Sequence, residues 1–146
     1  MGDSVINVHD VAKYIIEQLG EITTMKLQKL VYYCQAWSLV WDEEPLFPEK
    51  IEAWMNGPVV RELYDQHKGR FRVKKWNKGD ISKFKDYQKE TVDSVLNFYG
   101  NKNSQWLSDL THKEDPWRLA REGMTPNERG SKEITLDSMM EYYISL

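Results

Sequence analysis

The chain has 146 residues, of which 40% are hydrophobic and 29% charged, and its formal net charge at pH 7 is −3. This length favours one domain with a substantial core, and the composition excludes an intrinsically disordered chain. The charge creates no global field toward nucleic acid or anionic membranes. Because no stretch approaches 18 consecutive apolar residues and Met1 to Asp10 lacks the pattern of a signal peptide, we expect a cytoplasmic protein with no membrane contact.

The N-terminal third of the chain predicts two helices. Apolar residues recur at three- and four-residue spacing from Val8 to Leu19, with Asn7 as the N-cap and Gly20 as the stop. The second helix, Thr24 to Trp41, is apolar over most of its circumference, which predicts a central position in a helical bundle. The only cysteine, Cys34, lies within it, so we expect a buried, inert thiol.

The segment that follows breaks the helical periodicity. Two short apolar pieces, Leu46-Phe47 and Ile51 to Trp54, either pair as a small hairpin or lie as extended connectors. Gly57 predicts a tight turn because glycine tolerates positive φ. Pro58 fits the first position of a new short helix, Val59 to His67.

The segment from Lys68 to Lys78, called the arm below, holds six basic residues in eleven, with Phe71 and Trp76 between them. Three interpretations remain open: a solvated edge strand protected by lysines, a nucleic-acid contact combining phosphate binding with base stacking, or an electropositive surface for an acidic protein. The candidate partner-binding residues are Arg70, Phe71, Arg72, Lys74, Lys75 and Trp76, with the loop Gly123 to Lys132 as a second candidate segment.

The C-terminal half predicts further helices at Ser82 to Tyr99, Ser104 to Leu110 and Asp115 to about Glu122, and a last one capped by Thr135. In the third of these, Asp115 is the expected N-cap and Pro116 the first helical residue. The expected inward-facing residues are Phe84, Tyr87, Thr91, Val95 and Phe98 or Tyr99 in the long helix, and Met139, Met140 and Tyr143 in the last.

Catalytic signatures are missing from the sequence. The three histidines form no His-Glu-x-x-His pattern, there is no Cys-x-x-Cys pair, and neither a phosphate-binding glycine loop nor a Gly-x-Ser-x-Gly elbow occurs. We therefore expect no catalytic, cofactor-binding or metal-ligating residues. His112, Glu114 and Asp115 are a polar cluster that loop and cap chemistry explains; an enzyme would instead need a polar cleft there with strongly shifted pKa values.

Several motifs together resemble one family. Asp10 to Ile16, Lys-Leu-Gln-Lys-Leu at 26–30, Glu-Ala-Trp…Gly-Pro-Val at 52–59 and Pro-Trp at 116–117 occur in the order found in the Panacea domain, the family of SocA-type and GepA-like antitoxins of bacteria, phages and mobile elements. The motif residues, expected to be scaffold, are Leu27, Gln28, Lys29, Leu30, Trp54, Gly57, Pro58, Val59, Pro116 and Trp117.

The resemblance implies a mainly α fold: a compact single-domain helical bundle over residues 1–146 around a central apolar helix, with a small β-hairpin or extended insertion. It implies a non-enzymatic antitoxin that neutralises a toxin encoded next door by direct contact, and one branch delivers its toxin to a cytoplasmic protease. Asn56 stands where the family favours a tyrosine or a basic residue, which bears on partner choice. The alternative is a nucleic-acid-binding regulator that uses residues 68–78.

Overall fold

The computed structural model describes residues 5–146, and within them the chain is mainly helical with two small antiparallel sheets. In chain order the elements are α1 (Val8–Leu19), β1 (Ile22–Thr23), α2 (Thr24–Trp41), β2 (Ile51–Trp54), β3 (Gly57–Val59), α3 (Arg61–His67), β4 (Arg72–Val73), α4 (Asp86–Tyr99), α5 (Ser104–Lys113), α6 (Asp115–Ala120), β5 (Glu133–Ile134) and α7 (Leu136–Tyr143). A 3₁₀ turn at Ile81–Lys83 precedes α4.

The start of α1 is fixed by a capping box, and the predicted bounds of this helix are confirmed. The Asn7 side chain accepts hydrogen bonds from the backbone N–H groups of His9 and Asp10, and the Asp10 carboxylate accepts one from Asn7 N at 2.8 Å. The same buried carboxylate accepts from Asp80 N at 2.6 Å and pairs with Lys83 at 3.0 Å. The cap therefore also ties the turn before α4 to α1.

Helix α2 packs against α1, α4, α5, α7 and β3, and its predicted bounds are confirmed. Its Cys34 is fully buried, and burial raises the pKa of the thiol far above its usual range, as the sequence predicted for an inert cysteine. Its buried side chains are not all apolar, because Gln28, Lys29 and Gln35 are buried with them. The helix thus contributes polar anchors as well as core volume.

The hairpin forms between partners other than the predicted ones. Strands β2 and β3 pair antiparallel, with Trp54 opposite Gly57, and β5 joins the other edge of β2. The Leu46-Phe47 piece does not pair with Ile51–Trp54, because the Gln35 amide takes up its backbone groups: Leu46 N donates to Oε1 at 2.7 Å and Phe47 O accepts from Nε2 at 2.8 Å.

The predicted helix from Val59 to His67 begins too early. Pro58 lies in the edge strand β3, where a proline needs no ladder donor, and α3 begins only at Arg61. The backbone of Val60 stays extended because both of its polar groups bond to the side chain of Gln28. A contact with α2 therefore overrides the local helix signal of the proline.

Helix α4 starts later than predicted, and one of its predicted inward-facing residues is exposed. Phe84 lies before the helix and packs on Tyr14, with ring centroids 5.0 Å apart. Tyr87, which was predicted to face inward, is exposed, and of the two alternatives Phe98 and Tyr99 the buried one is Tyr99. Thr91 and Val95 are buried as predicted, and Gln88, Val92 and Leu96 are buried with them. Tyr87 was misplaced because Phe84, three residues before it, was taken as part of the helix, whereas it lies outside it.

The C-terminal elements follow the prediction with small shifts. Helix α6 is capped by Glu114, so Asp115 is its first residue and not its N-cap. Thr135 caps α7 as predicted, accepting from Ser138 N at 3.1 Å, and Met139 and Tyr143 face the core. No helix within residues 5–146 is long and apolar enough to cross a membrane.

Candidate functional site

The turn of the β2–β3 hairpin is held by side chains of the segment that contains α5 and α6. Four successive backbone carbonyls of the hairpin accept hydrogen bonds from this segment. The contacts are Ser108 Oγ to Asn56 O at 2.8 Å, His112 Nε2 to Met55 O at 3.2 Å, Trp117 Nε1 to Trp54 O at 2.8 Å and Arg121 Nη1 to Ala53 O at 2.9 Å. The Glu-Ala-Trp and Pro-Trp motifs, far apart in the chain, therefore meet in one contact.

The opposite side of the hairpin is held by α2. The Gln28 amide bonds both backbone groups of Val60, at 2.9 and 3.2 Å, and its Nε2 also donates to His67 Nε2 at 3.0 Å. Lys29 Nζ donates to Pro58 O at 3.2 Å. Leu27 and Leu30, on the same helix, are fully buried core residues. The Leu27–Leu30 motif thus contacts both the core and the chain segment of the hairpin.

Gly57 lies where no side chain fits. Its φ is +122°, a conformation that other residues rarely adopt. A Cβ atom there would lie 2.5 Å from Lys29 Cε and 3.1 Å from Thr111 Oγ1. The glycine therefore lets α2 and α5 close on the strand from both sides.

Lys29 is a buried lysine with no carboxylate partner among residues 5–146. Its side chain is 1% exposed, and burial lowers its pKa from 10.5 to about 7. No ion pair within residues 5–146 involves it. The pKa values of His67 and His112 are also lowered, first by burial and further by the Lys29 charge. When Lys29 is protonated, its ammonium therefore exerts a positive potential that reaches α3 and α5.

This burial predicts a rising stability between pH 7.5 and 9.5. In that interval the unfolded lysine is protonated, whereas the folded lysine, with a pKa of about 7, is largely neutral. Since the unfolded state binds more protons, the free energy of unfolding should rise by about 1 kcal/mol per pH unit. Urea denaturation at several pH values measures this slope. Lys29→Met should flatten it, and an unchanged slope in that variant would assign the effect to another group.

A cleft of about 650 Å³ opens beside the hairpin. Its walls are the start of α2, the hairpin, α3 and the 129–131 segment, and they include the polar Asn56 and Ser131 and the apolar faces of Trp54 and Tyr64. Lys29, Arg61 and Arg129 also line it, and no aspartate or glutamate of the described residues does. The cleft is therefore electropositive in a chain whose net charge is −3.

The arm presents an exposed aromatic ring on a basic surface. The arm forms the short strand β4, paired with β1 through Ile22 opposite Val73. Phe71 is 75% exposed, yet its carbonyl accepts a hydrogen bond from Thr24 N at 2.9 Å, so its backbone is fixed. The cations beside it, at Arg70, Lys74 and Lys75, are exposed.

Two of the candidate partner-binding residues are engaged elsewhere. Trp76 is 7% exposed, and its indole N–H donates to His9 Nδ1 at 3.1 Å, so it belongs to the interior and not to the arm's surface. The sequence could not separate it from Phe71, because only the long-range contact with α1 does so. Arg72 is exposed but pairs with Glu21 at 2.9 Å.

The Gly123–Lys132 loop borders the cleft. The buried guanidinium of Arg121 donates to the carbonyls of Ala53, Thr125 and Glu128, which ties the loop to the hairpin. Ser108 and Arg121 were not singled out from the sequence. Nothing local distinguishes Ser108, whereas Arg121 follows Trp117 by four residues, about one helical turn.

The polar cluster predicted from sequence does not form a common site. His112 donates to Met55 O, and Asp115 pairs with Arg118 at 2.6 Å on the surface. Glu114 is buried and accepts from the hydroxyls of Tyr33 and Tyr143, both at 2.7 Å, and burial raises its pKa. No cluster of three potential metal-ligating side chains occurs between residues 5 and 146.

The indole contact of Trp117 gives a direct test of the scaffold. Trp117→Phe keeps a ring over the guanidinium of Arg121 but removes the donor to Trp54 O. We expect a loss of about 1–2 kcal/mol in the free energy of unfolding, because a partly buried carbonyl loses its partner. Denaturant unfolding measures it. Trp106→Phe, at an exposed indole on α5, is the control, and equal losses for both would contradict the assignment.

Comparison with known proteins identifies one family. The sequence model of the family described as antitoxin SocA-like, Panacea domain, matches residues 27–118, more than half of the chain. The matched span contains most of α2, the hairpin, the arm and Trp117. No curated protein matches the chain, and no solved structure does either. The chain belongs to the SocA-like antitoxin family that carries the Panacea domain.

Proposed function

We propose that this protein is an antitoxin, not an enzyme, which binds its cognate toxin directly in the cytoplasm of a bacterium or an infected host cell. Family membership supports the antitoxin role. The observation that carries direct binding is the exposed Phe71 ring held on a fixed backbone among cations. Aromatic residues concentrate in protein interfaces, and a fixed backbone lowers the entropy lost on binding.

The arm and the cleft are neighbouring features of the surface. Thr24 holds the Phe71 carbonyl through its backbone N–H and also lines the cleft. Its hydroxyl donates to Arg70 O at 3.1 Å. Because Thr24 contacts the arm and lines the cleft, the two features are adjacent, and a toxin that packs on Phe71 would lie next to the cleft. Cations on the arm would steer an acidic toxin surface toward it.

An adaptor that delivers the toxin to a cytoplasmic protease needs the same toxin contact. Inhibition by binding leaves the amount of toxin unchanged, whereas delivery shortens its lifetime. Following the toxin level after protein synthesis is stopped separates these two modes.

One of the two aromatic residues that suggested nucleic-acid binding is buried. Base stacking was assigned to Phe71 and Trp76, and burial of Trp76 leaves a single exposed ring on the arm. Arg72 is partly neutralised by Glu21. We expect no salt-dependent DNA or RNA binding at 150 mM salt; a steep decline of affinity with salt would restore this alternative.

Growth rescue tests the proposed function. The gene next to that of this protein is expressed alone and together with it. We expect the neighbour to stop growth and co-expression to restore it. A toxic neighbour that is neither bound nor neutralised, or a harmless neighbour, would contradict the proposal.

Charge reversal on the arm should weaken toxin binding without unfolding the protein. The triple change Arg70→Glu, Lys74→Glu and Lys75→Glu alters exposed side chains that form no ion pairs within residues 5–146. We expect the dissociation constant to rise by about 10- to 100-fold, mostly through slower association at low salt. Surface plasmon resonance measures both rates.

The matched control carries the same change in net charge at other elements. Lys85, Lys89 and Lys113 are exposed lysines at α4 and α5. Their reversal should change the dissociation constant by less than about threefold, since surface charges beyond a Debye length are screened. If the two triple variants weaken toxin binding equally, the effect is one of overall charge, and the arm is not part of the interface.

A further inference from the structure

The cleft beside the hairpin carries an unbalanced positive charge. Arg61 is neutralised by Glu52, with Nη2 to Oε1 at 2.9 Å. Lys29 and Arg129 also line the cleft, and neither takes part in an ion pair within residues 5–146. This is unusual in a chain with 23 acidic and 20 basic residues. Buried lysines are rare unless they are paired, so the unpaired Lys29 calls for an explanation.

The ammonium of Lys29 has spare hydrogen-bonding capacity. An ammonium group has three N–H donors. Within residues 5–146 the acceptor that it meets is the carbonyl of Pro58, at 3.2 Å. A charged acceptor that entered the cleft would compensate the desolvation of Lys29, because hydrogen bonds between ionised groups are about twice as strong as neutral ones.

The remaining walls favour an apolar neighbour beside that charge. Met25, Trp54, Met55 and Tyr64 line the same cleft, and Asn56 offers an amide. Sites of this kind orient a ligand through a few polar groups and gain affinity from apolar contact. Methionines adapt to side chains of different shape, so Met25 and Met55 can pack against more than one kind of apolar residue.

We propose that this cleft binds a carboxylate of the toxin, supplied by an acidic side chain or by the C-terminus of its chain, with an apolar residue next to it. Lys29 at the floor and Arg129 on the rim receive the carboxylate, and the methionine and aromatic walls receive the apolar residue. This inference rests on the proposed function, since it names the feature of the toxin that is recognised. It extends the interface from the arm into the cleft through Thr24.

Blocked peptides test the site without any toxin. Acetyl-Leu-Glu-Leu-amide and its uncharged twin acetyl-Leu-Gln-Leu-amide are titrated into the full chain. Acetyl-Leu-Leu with a free carboxylate, and the corresponding amide, test the C-terminal source. The indole N–H resonance of Trp54 and the methyl resonance of Met25 report occupancy. We expect at least one carboxylate peptide to bind about tenfold more tightly than its twin.

Two lysines on α2 provide a matched pair of variants. Lys29 and Lys26 each donate to a backbone carbonyl, of Pro58 and of Gly100, but Lys26 does not line the cleft. Lys29→Met should abolish the preference for the carboxylate, and Lys26→Met should keep it. If Lys29→Met does not fold, Arg129→Gln on the exposed rim serves in its place. It should raise the dissociation constant of the carboxylate peptide by about threefold or more.

The outcomes separate this inference from the proposed function. Equal binding of both twins, absence of binding at about 10 mM peptide, or a preference that survives both Lys29→Met and Arg129→Gln would overturn the carboxylate site. Failed growth rescue with a positive peptide result would overturn the antitoxin proposal and keep the site. Successful growth rescue together with no preference for carboxylate peptides would keep the antitoxin proposal and overturn the carboxylate site.

Discussion

Replacing Gly57 with alanine should lower the free energy of unfolding by about 3 kcal/mol, through backbone strain and steric overlap. The alanine would have to adopt a φ of +122°, and its Cβ would lie 2.5 Å from Lys29 Cε. A shift of the Lys29 side chain that relieves this overlap is expected to disturb its hydrogen bond to Pro58 O, now 3.2 Å long. Urea denaturation followed by far-ultraviolet circular dichroism measures the loss.

A second glycine isolates the effect of backbone strain. Gly20 has a φ of +79° and no atom within 4 Å of a built Cβ. Gly20→Ala should therefore cost about 1 kcal/mol, the strain of a positive φ alone. The double variant Gly57→Ala with Lys29→Ala should recover part of the loss. If Gly57→Ala costs no more than Gly20→Ala, the close approach of α2 to β3 is not what requires a glycine.

Replacing Glu114 with alanine should also cost about 3 kcal/mol, because two buried hydroxyls lose their acceptor. The hydroxyls of Tyr33 and Tyr143 both donate to Oε1 at 2.7 Å, and Tyr143 also lies 3.0 Å from the hydroxyl of Tyr32. Glu114→Gln keeps a carbonyl acceptor and should lose less than half as much. Thermal and urea unfolding measure both variants.

The adjacent acidic residue is the control for this change. Asp115 pairs with Arg118 on the surface at 2.6 Å. Asp115→Ala should change stability by less than about 1 kcal/mol, since exposed ion pairs contribute little. A Glu114→Ala loss as small as that of Asp115→Ala would mean that the tyrosine hydroxyls find other acceptors.

Helix positions could be predicted from sequence because their signals are local. Asn7 and Thr135 cap their helices as predicted, and the bounds of α1 and α2 agree with the apolar periodicity. The motif residues of the Panacea domain were expected to be scaffold. The bonds of Gln28 and Lys29 to the hairpin are contacts of that kind.

The hairpin and the site depend on contacts between distant parts of the chain. The pairing of β2 with β3 rather than with Leu46-Phe47 follows from the Gln35 amide, 11 and 12 residues before its partners. Trp76 is buried by a bond to His9, 67 residues away. No spacing rule in the sequence encodes these contacts, so the interior could be predicted only in outline.

The cleft was missed for the same reason. Its lining comes from α2, the hairpin, α3 and the 129–131 segment, four stretches spread over most of the chain. Lys29 was recognised as a motif residue, but its isolation from carboxylates depends on where the acidic residues lie in space. The 123–132 loop, chosen from composition, does border the cleft through Arg129 and Ser131.

The most direct test of direct toxin neutralisation is isothermal titration calorimetry between the purified protein and the toxin encoded beside it. Direct binding predicts a saturable complex of fixed stoichiometry. The triple charge reversal at Arg70, Lys74 and Lys75 should raise its dissociation constant by at least about tenfold over wild type. Neutralisation of the toxin in cells without any complex at micromolar concentrations would contradict it and would show that the protein acts without direct contact.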